Sequence, residues 1–253
     1  MRGPVNAVLL AAGRGSRLAP LTDLTHKSLL PVAGKPVLAY VMDRLTRAGC
    51  QDIVCVTGYR KDDIAGFLAS YGSAVRTIEN ARYEQDVNIL STEIGVSALR
   101  RPELGYLLVE TDIVLEDRGW DAILDRTAAG DSFWVTRGRY SRALTGGALH
   151  ADDSGRVTDM VYAPAYDARY EGWLKLLGVL YVGEREVQAD RAIRQKAMQR
   201  TIAQYYMTPW VENRAELPCM ACDLGDVYAS SYNDVEAYQR TQQEFSAVGA
   251  VHA

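Results

Sequence analysis

Four short apolar runs alternate with segments of helical period through the first 130 residues, and that alternation narrows the possible folds more than any other feature. The runs are Val5 to Ala12, Asp52 to Thr57, Ala74 to Ile78 and Tyr106 to Glu110. Between the first two, the segment Pro36 to Ala48 places Val37, Leu38, Val41, Leu45 and Ala48 on one helical face. Proline stands at its start, where a missing N–H is tolerated, and Gly49 serves as a stop. Asp62 to Tyr71 and Ile89 to Leu99 read as further helices. Strands joined by crossover helices build a mostly parallel sheet.

After residue 130 the texture shifts to shorter alternating segments, SFWVTRGRY, TGGALHADDSGRVTDMVY and WLKLLGVLYVG. The middle one carries an Asp-Ser-Gly turn between apolar-polar alternations, a hairpin signal. Glu184 to Tyr206 is helix-like, and Asn233 to Phe245 reads as a closing helix with Asn233 or Asp234 near its N-terminus. The expected fold class is therefore α/β: a Rossmann-like, mostly parallel mixed sheet flanked by helices, with antiparallel additions. With 253 residues, 48% of them hydrophobic and 24% charged, one domain over residues 1–253 suffices, divided into halves at 1–130 and 131–253.

The charge balance, 28 Lys and Arg against 32 Asp and Glu for a net −4, leaves no electrostatic footprint for a nucleic acid. The apolar run at the N-terminus is too short for a signal-peptide core or a membrane span, so no membrane partner and a cytoplasmic location are expected. Four cysteines agree: Cys50 and Cys55 lie in or beside apolar stretches, and Cys219 and Cys222 form a lone CxxC without a second pair or a nearby histidine. Reduced, buried thiols are expected rather than zinc.

The segment LLAAGRGSRLAPLTDLTHKSLLPVAGKP leaves the end of the first strand, where ligands bind in open α/β sheets. Gly13 and Gly15 let backbone N–H groups approach a phosphate chain, and Arg14, Arg17 and Lys27 supply cations to neutralise it. The loop is not a Walker A sequence, and Leu18 stands where a dinucleotide fingerprint needs its third glycine.

The whole string resembles the signature of the sugar-1-phosphate nucleotidyltransferase superfamily, L-x-A-A-G-x-G-x-R-L-x-P-L-T followed by Lys, L-L-P-V and G-K-P. It is matched from Leu10, Ala11 and Ala12 through Arg17, Lys27 and Pro31 to Pro36. The resemblance implies that Leu10, Ala11, Ala12, Gly13, Arg14, Gly15 and Ser16 line a nucleotide. It also implies that Arg17 holds the β,γ-phosphates and that Lys27 bridges the α-phosphate to an incoming phosphoryl group. The T-H-K-S-L-L variant and the segment ENARYEQDVNILSTEIGVSAL are most similar to the phosphocholine and phosphonate cytidylyltransferase branch, and this adds Asn80, Tyr83, Asn88 and Ser91 as nucleotide-binding candidates. An ordinary helix cap is the other reading of Asn88.

A triphosphate reaction needs a hard cation on oxygen ligands, and Mg²⁺, for which Mn²⁺ can substitute, needs only one or two carboxylates. Asp112 follows the strand ending at Glu110, where the family holds its metal, although Thr111 replaces the small residue usual before it. The family's second ligand lies before the last helix, where this sequence has Ser230. Asp226 is taken as the replacement, with Asp223 and Asp234 behind it. Lys175, in WLKLLGVLYVG, matches the family lysine that contacts the acceptor phosphate and joins Arg17 and Lys27 as a catalytic cation. The aromatic residues Tyr140, Tyr162, Trp173 and Trp210 are candidates for the acceptor pocket, with core packing as their other explanation.

The expected function is thus transfer of CMP from CTP to a small phosphorylated or phosphonate metabolite, releasing pyrophosphate, with residues 1–130 holding the nucleotide and 131–253 the acceptor. A sugar-1-phosphate nucleotidyltransferase is the alternative enzyme, and a non-catalytic nucleotide-binding homologue is the alternative outside enzymes. A homodimer is compatible with the sequence.

Overall fold

The computed structural model describes residues 6–251, with side chains through residue 247. In chain order the elements begin β1 (Asn6–Ala11), α1 (Leu21–Leu24), β2 (Pro31–Val32), β3 (Lys35–Pro36), α2 (Val37–Arg47), β4 (Asp52–Thr57) and α3 (Lys61–Leu68). They continue β5 (Val75–Glu79), α4 (Ile89–Ala98), β6 (Tyr106–Glu110), β7 (Ile113–Leu115), α5 (Asp117–Arg126), β8 (Phe133–Arg139), β9 (Gly146–Ala151) and β10 (Val157–Ala163). The last are β11 (Leu174–Val182), α6 (Val187–Arg200), α7 (Met207–Glu212), β12 (Met220–Asp223), β13 (Ala229–Ser231) and α8 (Val235–Val251).

Near-continuous burial on both faces makes β1, β4 and β6 the centre of a nine-stranded sheet ordered β10-β9-β11-β6-β1-β4-β5, with β8 beside β11 and β12 beside β8. The strands β6, β1, β4 and β5 run parallel, and β11 enters antiparallel against β6. The expected class, a mixed α/β sheet flanked by helices with antiparallel additions, is the one observed. One face of the sheet packs Leu9, Cys55, Leu107 and Val109 against Leu38, Val41, Met42 and Leu45 of α2 and Trp120 and Ile123 of α5. The other packs Val8, Val56 and Leu108 against Val96 of α4, Val187 of α6 and Trp210 of α7.

Several expected boundaries shift for local reasons. Val5, at the head of the first expected run, lies outside the described residues. The helix expected over Glu184 to Tyr206 is shorter: α6 covers Val187–Arg200, residues 201–205 are irregular, and a separate helix, α7, begins at Met207 beyond the expected range. Helix α4 is capped by Asp86, whose carboxylate accepts the Leu90 and Ser91 N–H groups at 3.0 and 2.8 Å. Asp234 caps α8 by accepting the Ala237 N–H at 2.8 Å. The short ribbon of β7 and β13 and the amphipathic α5 were not expected; β7 has only three residues, too few to show a period. Cys50, Cys55 and Cys219 are buried and Cys222 is half-buried, none of them in a disulfide among the described residues. Among the described residues no helix is long and apolar enough to cross a membrane.

Helix α4 lies close on the sheet because position 95 has no side chain. A Cβ on Gly95 would stand 2.3 Å from Val8 Cγ1 and 2.9 Å from Val56 Cγ2. Overpacking of that kind costs about 1–3 kcal/mol, offset by up to about 1 kcal/mol of helix propensity. We expect Gly95→Ala to lower unfolding stability by about 1–2 kcal/mol, read from the midpoint of a urea transition; an unchanged or raised midpoint would contradict this packing.

Candidate functional site

The site is built at the carboxyl ends of β1 and β6, where the parallel strands hand their last residues to loops. After Ala11 the chain turns through Gly13, Arg14, Ser16 and Arg17, all exposed, before Leu18 re-enters the core. Gly15 sits at φ 64°, and its carbonyl accepts the Leu18 N–H at 2.9 Å and the Thr22 hydroxyl at 3.1 Å, closing the turn. A Cβ at Gly15 would lie 3.2 Å from Lys27 Cδ, so the lysine runs directly beneath the loop. Arg14 places its guanidinium 5.4 Å from the Tyr59 ring centroid, and Arg17 has no carboxylate partner among the described residues.

Lys27 Nζ reaches Asp112 Oδ2 at 2.7 Å, with side-chain exposures of 16% and 4%. Two hydrogen-bonded chains fix the pair. Ser28 Oγ lies 2.6 Å from Thr111 Oγ1, which donates to the Leu10 carbonyl at 2.8 Å, tying the lysine turn to both strand ends. Thr111, an apparent departure from the family pattern, is therefore the hydroxyl complement of Ser28. On the other side, Tyr232 donates its hydroxyl to the Lys27 carbonyl at 2.8 Å and its N–H to the Asp112 carbonyl at 3.4 Å. His26 Nδ1 accepts the Ser28 N–H at 3.1 Å; burial, then the Lys27 charge, pull its pKa down to about 4, so the ring is neutral.

A cavity of about 670 Å³ opens beside this crest, lined among others by Arg17, Glu110, Lys175, Tyr162, Tyr205 and Tyr206. Lys175 donates to the Leu176 carbonyl at 2.8 Å, and burial lowers its pKa to about 8 against the opposing pull of Glu110. Glu110 receives a long contact from Asn88 Nδ2 at 3.4 Å and lies beside the Tyr206 hydroxyl. Burial, then Asp112, push its pKa up to about 7.

The structure brings Arg17, Lys27, Asp112 and Lys175 to one region and separates several other expected residues from it. Asp226 is not brought to Asp112. Its side chain is 91% exposed and 3.6 Å from Arg118, three positions before Ala229, which pairs with Leu115; Tyr232 holds the place beside Asp112 at the other end of that ribbon. Asp223 faces Arg139, and Asp234 is spent on its helix. Asn80 and Ser91 are buried and join Asp86 in a closed network, so they shape the start of α4 rather than face the loop. Tyr83 packs over Gly58 with its hydroxyl turned towards Glu84. Asn88 is not a side-chain cap: it accepts the Tyr206 N–H at 2.8 Å and reaches Glu110.

Of the aromatic candidates only Tyr162 lines the cavity, its ring 4.6 Å from Tyr205. Tyr140 is fully buried with its hydroxyl on the Ala163 and Ala165 carbonyls, and Trp210 is buried with its indole N–H on Asp190 at 2.9 Å. Trp173 meets Tyr170 edge-on and His150 at a tilt, outside the cavity. These three are packing residues. Sequence reasoning missed Glu110, Tyr206 and Tyr232. For Glu110 a signal existed, since a carboxylate closing the apolar run YLLVE stands at the ligand-binding edge of the sheet.

A family model described as nucleotidyl transferase matches residues 6–172. Over 161 residues the chain is 34% identical to CMP-5'-(3-aminopropyl)phosphonate synthase of Streptomyces rubellomurinus, covering 62% of this chain and 24% of that protein. Over 112 residues it is 37% identical to 2-aminoethylphosphonate cytidylyltransferase of Lancefieldella rimae, covering 44% of each. The chain thus spans less than half the length of these two relatives. Among solved structures, CTP:phosphocholine cytidylyltransferase from Streptococcus pneumoniae superposes with a TM-score of 0.82 at 23% identity, over 96% of this chain and 99% of that one, a likeness of fold.

Removing one member of a buried ion pair strands the other charge and costs about 3 kcal/mol or more, whereas removing both costs far less. We expect Lys27→Met to destabilise the fold by about 3 kcal/mol and the double variant with Asp112→Asn to recover most of that loss in urea unfolding. Additive losses would show that the pair is not coupled.

Proposed function

The chain belongs to the nucleotidyl transferase family, and on that premise we propose that it transfers a cytidylyl group from CTP to a small phosphate or phosphonate acceptor. The observation that carries this reading is the exposed Gly13–Arg17 loop lying over the Lys27–Asp112 pair, with Lys175 in the adjoining cavity. Cytidylyl transfer in particular is supported by the two relatives named for phosphonates.

In the proposed reaction an acceptor oxygen attacks the α-phosphorus, a new P–O bond forms, and the bond to the β-phosphate breaks with its electron pair leaving on pyrophosphate. The attacking oxygen is already anionic near neutral pH, so no general base is required. Backbone N–H groups of Gly13 to Ser16 and the guanidinium of Arg17 receive the triphosphate. Lys27 neutralises charge between donor and acceptor phosphoryl groups, and Lys175 holds the acceptor. This accounts for a site rich in cations that has no nucleophile paired with a base.

Asp112 Oδ1 is buried without a hydrogen-bond partner, the condition of a carboxylate with one oxygen reserved for a cation. Mg²⁺, or Mn²⁺ in its place, fits there because it retains several waters and asks for few protein oxygens. Asp226 is outside this set, and no group of three or more His, Cys, Asp or Glu side chains suited to a metal occurs among the described residues. The cation would supply charge neutralisation for the phosphates.

Pyrophosphate release tests the reading, with CTP, UTP, dTTP, ATP and GTP set against 2-aminoethylphosphonate, phosphocholine and glucose 1-phosphate. CTP with a phosphonate or phosphoalcohol is expected to lead, and excess chelator is expected to abolish release. A hexose 1-phosphate with UTP or dTTP outperforming CTP would replace this reading with the sugar enzyme. Lys27→Ala is expected to lower kcat by about 100- to 1,000-fold, as loss of one oriented charge-stabilising group does. Lys175 loses its proton above about pH 8, and the neutral amine holds an anion poorly. The acceptor kcat/KM should therefore fall on the alkaline side of that value, and Lys175→Arg should push the fall to higher pH; a limb indifferent to that substitution would free Lys175 from the acceptor role.

A further inference from the structure

The cavity beside the crest contains two groups of opposite charge that are not joined in a contact ion pair among the described residues. Lys175 turns its ammonium onto the Leu176 carbonyl, and among the described residues Glu110 has neutral neighbours, the Asn88 amide at 3.4 Å and the Tyr206 hydroxyl beside it. Neither residue forms an ion pair among the described residues, although both line the same wall of the fold. An ionised carboxylate has about four acceptor positions, and two neutral donors leave part of that capacity open to the cavity.

The backbone is shaped to keep this carboxylate in place. Gly178, next to the Val179–Val109 pair, has φ 80°, and a Cβ there would stand 2.7 Å from Glu110 Oε2, so a side chain at 178 would displace the acid. Gly146 borders the lysine, and a Cβ on it would lie in ordinary contact, 3.6 Å from Lys175 Nζ. Around the acid stand Tyr206, stacked on Trp134 at 5.6 Å, and the Tyr162–Tyr205 pair. Aromatic faces attract cations and leave a carboxylate partly desolvated, which raises the value of a cationic partner.

Resting on the proposed transfer reaction, we propose that Glu110 is the specificity-determining residue of the acceptor subsite. It binds a cationic nitrogen at one end of a zwitterion whose phosphate or phosphonate end is held by Lys175. A zwitterion satisfies both stranded charges at once, whereas a hexose phosphate satisfies only the lysine and leaves the carboxylate facing hydroxyls. The second role open to Glu110, a ligand shared with Asp112 for the divalent cation, would act on all acceptors alike, and the experiment separates the two.

The test compares 2-aminoethylphosphonate with ethylphosphonate, which differ by the ammonium group alone, in wild type and in Glu110→Gln. Glutamine keeps the length of the side chain and its contacts while removing the charge. A hydrogen-bonded charge is worth about 10- to 100-fold, so wild type should prefer the amine by that factor in kcat/KM. The preference should fall at least tenfold in the variant, with the KM for CTP and the Mg²⁺ requirement moving little. Calorimetric titration of the same two phosphonates reads the subsite without turnover and should give the same ratio. Wild type using or binding both phosphonates equally overturns the proposal, even should the variant fail to fold. A variant that loses both acceptors in equal proportion, or that recovers with added Mg²⁺, overturns it in favour of a metal or structural role. Absence of pyrophosphate release with every triphosphate and acceptor would defeat the transfer reading, while the calorimetric ratio would still decide the subsite.

Discussion

The buried contact between Lys27 and Asp112 is the constraint around which the rest of the site is arranged. Taking two charges out of water is costly, and only good geometry with saturated surroundings offsets it. That requirement explains why three separate parts of the chain converge there: the Ser28–Thr111–Leu10 hydroxyl chain, the His26 acceptor and Tyr232. Each fixes the backbone on one side of the pair. The lysine is thus presented at the crest of the sheet without freedom to wander, and the Gly13–Arg17 loop is laid over it.

Charge in the cleft is divided by burial. Arg14 and Arg17 lie in solvent, where a polyphosphate can be captured and released at modest desolvation cost, while Lys175 and Glu110 sit in a drier recess among tyrosines. An exposed guanidinium attracts at range and discriminates little; a buried, unpaired charge discriminates strongly because a wrong ligand leaves it uncompensated. In the proposed reaction the exposed arginines would serve capture and the drier recess selection, along the length of one cleft.

The glycine loop and its lysine were legible in the sequence because Gly13, Gly15, Arg17 and Lys27 fall within one stretch that resembles the superfamily signature, and the structure lays the loop over the lysine. Asp112 was legible because an apolar strand ends just before it. What escaped depends on contacts that no local period encodes. Asp226 was chosen by proximity along the chain, yet the register of β13 against β7 carries it to the far end of the ribbon and puts Tyr232 beside Asp112. Tyr140 and Trp210 carry the same aromatic signal as Tyr162, and tertiary contacts set them apart: Tyr140 turns its hydroxyl to the Ala163 and Ala165 carbonyls and Trp210 its indole to Asp190, while Tyr162 faces the cavity. Asn80, Asn88 and Ser91 were grouped by spacing. The structure parts them, because Asp86 takes over the helix cap and frees Asn88 to reach Glu110.

Tyr232 also has a bearing on how the molecule comes into being. Its hydroxyl closes on the carbonyl of a residue 205 positions earlier. During synthesis at about 5–20 residues per second, roughly 10–40 s separate the emergence of the two. The central parallel strands can pair while that interval runs, but the lysine turn waits for its last support. The nascent chain therefore acquires its scaffold well before the crest becomes rigid, and competence arrives late, as a single closing event.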